Sequence, residues 1–122
     1  MNTYSKNNES KITVIATVFN EVNTVRKFVD SILNQSKKAD EIIIVDSCST
    51  DGTLEILTEY FSLGKIKLIE KKCNIAQGRN IAISNAKTEL IAATDSGCDV
   101  EKDWLYEIFQ CFQSPLKPDV VA

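Results

Sequence analysis

The chain has 122 residues and a formal net charge of −3, from 14 basic and 17 acidic side chains. This balance argues against a nucleic-acid-binding surface. The absence of histidine excludes Ser–His and Cys–His nucleophiles and disfavours a zinc site. No apolar run approaches the roughly 20 residues of a membrane span, and residues 1–11 lack the apolar segment of a signal peptide. The four cysteines are widely spaced, so we expect free thiols in a cytoplasmic protein.

The hydrophobic pattern alternates between two periods along the chain. Short apolar runs predict strands at residues 11–19, 41–45, 89–94 and 119–122, and alternating apolar and charged residues predict a more exposed strand at residues 65–70. Apolar residues at three- and four-residue spacing predict helices at residues 20–35, 53–61, 78–86 and 103–112, the first of them capped by Asn20. The alternation of strands and helices indicates an α/β fold, with a mostly parallel sheet flanked by helices.

The length of the chain fits one domain. We assign residues 1–10 to a flexible N-terminal tail and residues 11–122 to that domain. The last predicted strand starts at Asp119, only three residues before the final residue. We therefore expect the sequence to be the N-terminal part of a larger domain.

Two predicted strands end abruptly in an acidic residue followed by small polar residues. Asp46 follows the apolar run 42–45, and Asp95 follows the run 91–94. In open parallel sheets, ligands bind in a crevice just beyond the carboxyl ends of the strands. Carboxylates at that edge suit a sugar hydroxyl, a base N–H or a divalent cation. The pattern therefore predicts a site for a nucleotide-like ligand.

Two common nucleotide-binding motifs are absent. A dinucleotide-binding domain needs G-x-G-x-x-G after its first strand, and residues 18–23 contain no glycine. A P-loop needs a glycine-rich segment that ends in Gly-Lys-Ser or Gly-Lys-Thr, which the chain also lacks.

Four sequence blocks, taken in order and with their spacing, resemble those of family-2 glycosyltransferases. The resemblance implies a Rossmann-like GT-A nucleotide-diphospho-sugar transferase fold, truncated here at its C-terminus. The blocks are Thr17–Glu21, Ile44–Asp46 with Ser49–Thr53, Asn74–Ile83, and Thr94–Gly97 with Asp103–Leu105.

The resemblance also implies roles for five residues. Thr17 and Glu21 would line the base and ribose, and Asp46 would accept a hydrogen bond from the ring N–H of uracil. Arg79, expected near the start of a short helix, would bind the diphosphate. Asp95 matches the first acid of the family's D-x-D motif, which holds the ribose and a Mg²⁺ or Mn²⁺ ion.

The D-x-D block departs from the family pattern at its last position. Gly97 stands where the metal-binding acid would be, which leaves metal dependence open. Asp99, two residues further on, is the candidate replacement. The expected metal ligands are therefore Asp95 and Asp99.

The implied activity is transfer of a sugar, with inversion, from a nucleotide-diphospho-sugar to the hydroxyl of a saccharide or lipid-linked acceptor. A UDP-sugar is favoured by Asp46, with GDP- and dTDP-sugars as alternatives. Such a role places the protein in cell-envelope polysaccharide biosynthesis, peripheral at the inner face of the membrane. The only acidic residues after Asp103 in the sequence are Glu107 and Asp119, and neither matches the family's general base. We therefore expect donor binding with little turnover by these residues alone. A non-catalytic binding or interaction module with a relic donor site is the alternative.

Overall fold

Five parallel strands form one sheet in the computed structural model, which describes residues 10–97, 99–112 and 120–121. The strand order is β3-β2-β1-β4-β5, so β1 lies at the centre. Parallel pairing joins β1 to β2 and β4, β2 to β3, and β4 to β5. The strands are β1 (Ile12–Val18), β2 (Glu41–Asp46), β3 (Lys67–Glu70), β4 (Leu90–Ala93) and β5 (Val120–Val121).

Four helices cover the two faces of this sheet. They are α1 (Val25–Leu33), α2 (Thr53–Ser62), α3 (Ile75–Asn85) and α4 (Trp104–Phe112). Helices α1, α2 and α4 pack on one face, where the core includes Val14, Phe28 and Leu105. Helix α3 packs on the other face, where Ala82 contacts the cluster around Ile15. Covering both faces requires mostly apolar residues in the central strands, which is why β1, β2 and β4 read as largely continuous apolar runs, whereas the edge strand β3 is partly exposed.

Two helix starts differ from the prediction. Helix α1 begins at Val25, because Asn20 has a φ of 50° and belongs to the preceding loop; the predicted capping role of Asn20 is wrong. Helix α3 begins at Ile75, three residues before the predicted start, because Asn74 and Gln77 form a reciprocal capping box. Arg79 is therefore the fifth residue of α3 and does not lie at its N-terminus.

Parts of the chain-end predictions lie outside the described residues. The expected tail falls on residues 1–9, apart from Ser10. The last strand is described as Val120–Val121, the two middle residues of the predicted strand 119–122. Within the described part of the chain, no helix is both long enough and apolar enough to cross a membrane.

Candidate functional site

A crevice of about 1150 Å³ opens at the carboxyl edge of the sheet. The sheet order reverses beside β1, because β2 lies on one side of it and β4 on the other. Ligands of open α/β sheets bind at this kind of switch point. The crevice is lined by the loops that follow β1 and β2, by Lys72 and Cys73, by the start of α3 and by Ser96.

The loops after β1 and β2 are tied to each other by side-chain hydrogen bonds. The N–H of Asn20 donates to Ser49 Oγ at 2.8 Å, and the N–H of Thr50 donates to Asn20 Oδ1 at 2.8 Å. Asp51 accepts from the hydroxyl of Thr53 at 2.6 Å. That hydroxyl is the main reason why the pKa of the Asp51 carboxyl lies below its ordinary value. The crevice wall is thus built before any ligand arrives.

Asp46 is fully buried and does not line the crevice. Its Oδ2 accepts from the N–H of Ser49 at 2.8 Å, and its Oδ1 accepts from the Ser49 hydroxyl at 2.7 Å. Successive residues of a strand point to opposite faces, and it is the next residue, Ser47, that faces the crevice. The structure therefore gives Asp46 a role in shaping the loop and does not bring it to the ligand side.

Thr17 lies at the end of β1, directly against helix α3. A Cβ atom added to Gly78 would lie 2.4 Å from Thr17 Oγ1, so only glycine allows this close approach. Thr17 Oγ1 is buried and has no hydrogen-bond partner among the described residues. The contact brings the N-terminus of α3 against the crevice.

The N-terminus of α3 and a nearby lysine give this side of the crevice a positive character. The side chain of Asn74 accepts from the N–H of Gln77 at 2.8 Å, and Gln77 Oε1 accepts from the N–H of Asn74 at 2.9 Å. Amides in the first turn of a helix, here Ile75 and Ala76, have no partner within the helix. Together with the helix dipole and Lys72, these amides favour an anion.

Arg79 and Asp95 are brought together by the structure. Arg79 Nη2 lies 3.1 Å from Asp95 Oδ1, although the side chain of Asp95 is 71% exposed. Asp99 instead pairs with Lys27 at 3.3 Å, on helix α1. Over residues 10–97 and 99–112, no group of three or more acidic or cysteine side chains is arranged to hold a metal ion.

Two exposed apolar residues of the crevice were missed by the sequence reasoning. Phe19 is 55% exposed and Ile75 is 62% exposed, and both line the crevice. An aromatic face open to solvent beside polar loops is suited to stacking against a flat ligand. The spacing of Asn74 and Gln77 carried the signal for Ile75, since it marks the start of a helix. Phe19 had a weaker signal, because it only extends the apolar run of β1.

The fold defines an α/β domain of the GT-A type. The family model described as Glycosyl transferase family 2 matches residues 13–121. The chain therefore belongs to glycosyl transferase family 2, as its sequence blocks predicted.

Named relatives and solved structures agree with this assignment. Glycosyltransferase GlyA of Streptococcus pneumoniae serotype 4 is 33% identical over 104 residues, which cover 84% of this chain and 15% of GlyA. Poly(ribitol-phosphate) beta-N-acetylglucosaminyltransferase TarS of Staphylococcus aureus is 30% identical over 104 residues, 78% of this chain and 18% of TarS. The chain thus spans less than a fifth of either protein.

Two solved structures show the same fold with donor ligands. TarS 1-349 in complex with UDP-GlcNAc superposes with a TM-score of 0.72 at 26% identity, over 84% of this chain and 31% of that one. The mannosyltransferase PcManGT of Pyrobaculum calidifontis, in complex with GDP-Man and Mn²⁺, gives a TM-score of 0.77 at 26% identity, over 87% of this chain and 33% of that one. These likenesses confirm the predicted GT-A fold.

Proposed function

We propose that the crevice binds the nucleotide diphosphate of a sugar donor, and that the chain supplies the donor-binding part of a glycosyltransferase. The observation that carries this proposal is the crevice at the switch point of the sheet, with the N-terminus of α3 on one side. Its volume of about 1150 Å³ is slightly above the range of about 300–1,000 Å³ usual for small-molecule sites. A nucleotide-diphospho-sugar suits a space of this size.

The base lies between the loops after β1 and β2. Phe19 offers its exposed ring for stacking, and Thr17 and Ser47 line the crevice beside it. Asp46 acts indirectly, since both its carboxylate oxygens hold the loop that carries Ser47. We favour a uracil nucleotide because TarS, a relative with the same fold, has been solved with UDP-GlcNAc.

The diphosphate lies at the N-terminus of α3, where free amides and Lys72 supply positive charge. Arg79 binds diphosphate oxygens and Asp95 binds the ribose and a Mg²⁺ or Mn²⁺ ion. Oxygen ligands suit such hard cations, and the structure of PcManGT contains Mn²⁺. A bound cation neutralises the diphosphate leaving group and so lowers the barrier to sugar transfer.

The acceptor is a saccharide or lipid-linked hydroxyl of the cell envelope, attacked with inversion at the anomeric carbon. TarS acts on a poly(ribitol-phosphate), and a second relative, TuaG of Bacillus subtilis, is named for teichuronic acid biosynthesis. Glu21 is the one carboxylate lining the crevice in the described part of the chain. Glu21 lies beside the nucleotide base and the ribose. This position does not suit the general base that deprotonates an acceptor hydroxyl, so we assign the general base to residues outside the donor crevice.

Calorimetric titration of the protein with UDP, GDP and dTDP, with and without Mn²⁺, tests the proposal. Saturable binding with UDP tightest is expected. Stacking is worth about 1–3 kcal/mol per base, so Phe19→Ala should weaken UDP binding by roughly tenfold. Phe61→Ala is the matched control, because Phe61 is 52% exposed and lies on α2, away from the crevice. Equal losses in both variants, or no saturable binding, would contradict the proposed site.

A further inference from the structure

Gly97 lacks the acidic side chain that the family motif has at this position, and its φ is 94°. A Cβ atom added here would lie 3.5 Å from Glu21 Oε2 and 3.7 Å from Glu21 Oε1. The space that a side chain at position 97 would enter is therefore bordered by the carboxylate of Glu21. That carboxylate reaches the site from the loop after β1, a different segment of the chain.

Glu21 is held in this position by its backbone and by Thr24. Its N–H donates to Thr53 Oγ1 at 2.8 Å, and its carbonyl accepts from the N–H groups of Thr24 and Val25 at 3.0 and 2.7 Å. The hydroxyl of Thr24 donates to Oε1 at 3.0 Å. Among the described residues, no donor reaches Oε2, which is the carboxylate oxygen nearest to position 97.

Asp95 resembles Glu21 in having one carboxylate oxygen that no donor reaches among the described residues. Its Oδ1 pairs with Arg79, and Oδ2 has no hydrogen-bond partner within the described part of the chain. Asp99 is also paired through one oxygen, because its Oδ2 lies 3.3 Å from Lys27 on helix α1. Glu21 lies beside Gly97 and has no cationic partner among the described residues, so it is better placed than Asp99 to act with Asp95.

We propose that Glu21 supplies the carboxylate that position 97 lacks, and that Glu21 and Asp95 bind the divalent cation together with the nucleotide diphosphate. The inference rests on the proposed function, because two carboxylates are too few to hold the ion alone. Mg²⁺ is usually held by one or two carboxylates, substrate phosphates and water. The absence of a three-residue metal cluster from residues 10–97 and 99–112 agrees with this arrangement, since the remaining ligands come with the nucleotide.

Electron paramagnetic resonance of free Mn²⁺ tests the inference without any measurement of activity. The wild-type protein should bind Mn²⁺ weakly alone and tightly with UDP. Glu21→Gln keeps an acceptor for Thr24 but removes the charge, and should weaken UDP-dependent Mn²⁺ binding by at least about tenfold, a usual effect of changing a metal site. Glu55→Gln, an exposed acid of α2, is the matched control and should behave as the wild type.

A second variant tests whether the two positions are equivalent. Gly97→Asp in the Glu21→Gln background returns a carboxylate to position 97 and should restore part of the Mn²⁺ affinity, with circular dichroism confirming that each variant is folded. Unchanged Mn²⁺ binding in Glu21→Gln, or a loss in Asp99→Asn of the size expected for Glu21→Gln, would overturn the inference. If UDP binds but Mn²⁺ has no effect, the inference fails while the nucleotide site stands. If UDP does not bind the wild type at all, the proposed function fails as well.

Discussion

Replacing Gly78 by alanine tests the contact that brings α3 against the crevice. In a helix interior, alanine is more favourable than glycine by about 1 kcal/mol, so the change would stabilise an unobstructed helix. Here the new Cβ would lie 2.4 Å from Thr17 Oγ1, 2.7 Å from Thr17 Cγ2 and 3.1 Å from Thr17 Cβ. Optimal contacts between non-bonded carbon atoms are about 3.5–4.0 Å.

The overpacking should outweigh the gain in helix propensity. Overpacking of a well-packed site costs about 1–3 kcal/mol, and Thr17 is a β-branched residue with little freedom to move. Three of its side-chain atoms are crowded, so we take the upper part of that range. The net expectation is a loss of roughly 1–2 kcal/mol in the free energy of unfolding, with weaker UDP binding because α3 is displaced.

Urea denaturation followed by circular dichroism measures this change. Asn80→Ala is the control, since Asn80 is exposed on the same helix and its replacement should raise stability by a few tenths of a kcal/mol. Thr17→Ala in the Gly78→Ala background removes the two closest atoms and should recover at least about 1 kcal/mol, which is within the usual range of coupling between contacting residues. A Gly78→Ala protein as stable as the wild type would refute the reasoning.

Three further predictions concern stability and the loop after β2. Burial raises the pKa of the Glu41 carboxyl, but its bonds to Lys67 and to neighbouring donors outweigh this and leave the pKa lowered. The contribution of Glu41 to stability is therefore complete above the ordinary pKa of 4.5 and is lost as the pH falls through the lower pKa of the folded state. Glu41→Gln should reduce the loss of unfolding free energy at acid pH, measured by urea denaturation at a series of pH values. Tyr60→Phe removes a 2.6 Å hydrogen bond to the Asp30 carboxylate and should lower the free energy of unfolding by about 1–2 kcal/mol, measured in urea; no loss would mean that the bond is not formed in solution. Asp46→Ala should weaken UDP binding in calorimetry and also lower the thermal midpoint, because it frees the loop after β2, whereas a direct ligand role would change binding alone.

The strands were predictable because of their burial. Residues 42–45 and 91–93 are apolar without interruption, because the structure covers them on both faces of the sheet. The continuous apolar runs were therefore sufficient to predict them as strands. The carboxyl edge as the place of the crevice followed from the parallel topology. The sequence therefore contained enough information for the fold class and for the edge of the sheet at which the crevice opens.

The side-chain directions at the strand ends were not predictable to the same degree. Asp46 was predicted to contact the base, but it lies on the buried side and Ser47 faces the crevice. A shift of one residue along a strand moves the side chain to the opposite face of the sheet. A continuous apolar run does not show which of two successive residues at its end faces the crevice. The pairing of Arg79 with Asp95 also depends on where α3 lies, which is set by its packing on the sheet, including the contacts of Gly78 with Thr17 and of Ala82 with the cluster around Ile15.

The departure at Gly97 shows a different kind of limit. The sequence showed that Gly97 stands where the family motif has an acid, and it suggested Asp99, the nearest acid along the chain, as the replacement. The structure instead places Glu21, distant in sequence, beside Gly97 and pairs Asp99 with Lys27. Contacts between distant segments are set by tertiary packing, so spacing along the chain could not have indicated this residue.

Nuclear magnetic resonance of the ¹⁵N-labelled protein during a UDP titration tests the central claim most directly. We predict progressive, saturable shifts of backbone amides in residues 17–21, 47–50 and 72–77, the segments that contribute most of the crevice lining. Amides around Lys65 and Thr88, in a smaller cavity lined by residues at the opposite ends of the strands, should not move. Shifts confined to that opposite edge, or a spectrum unchanged by excess UDP, would contradict the assignment of the crevice as a nucleotide site.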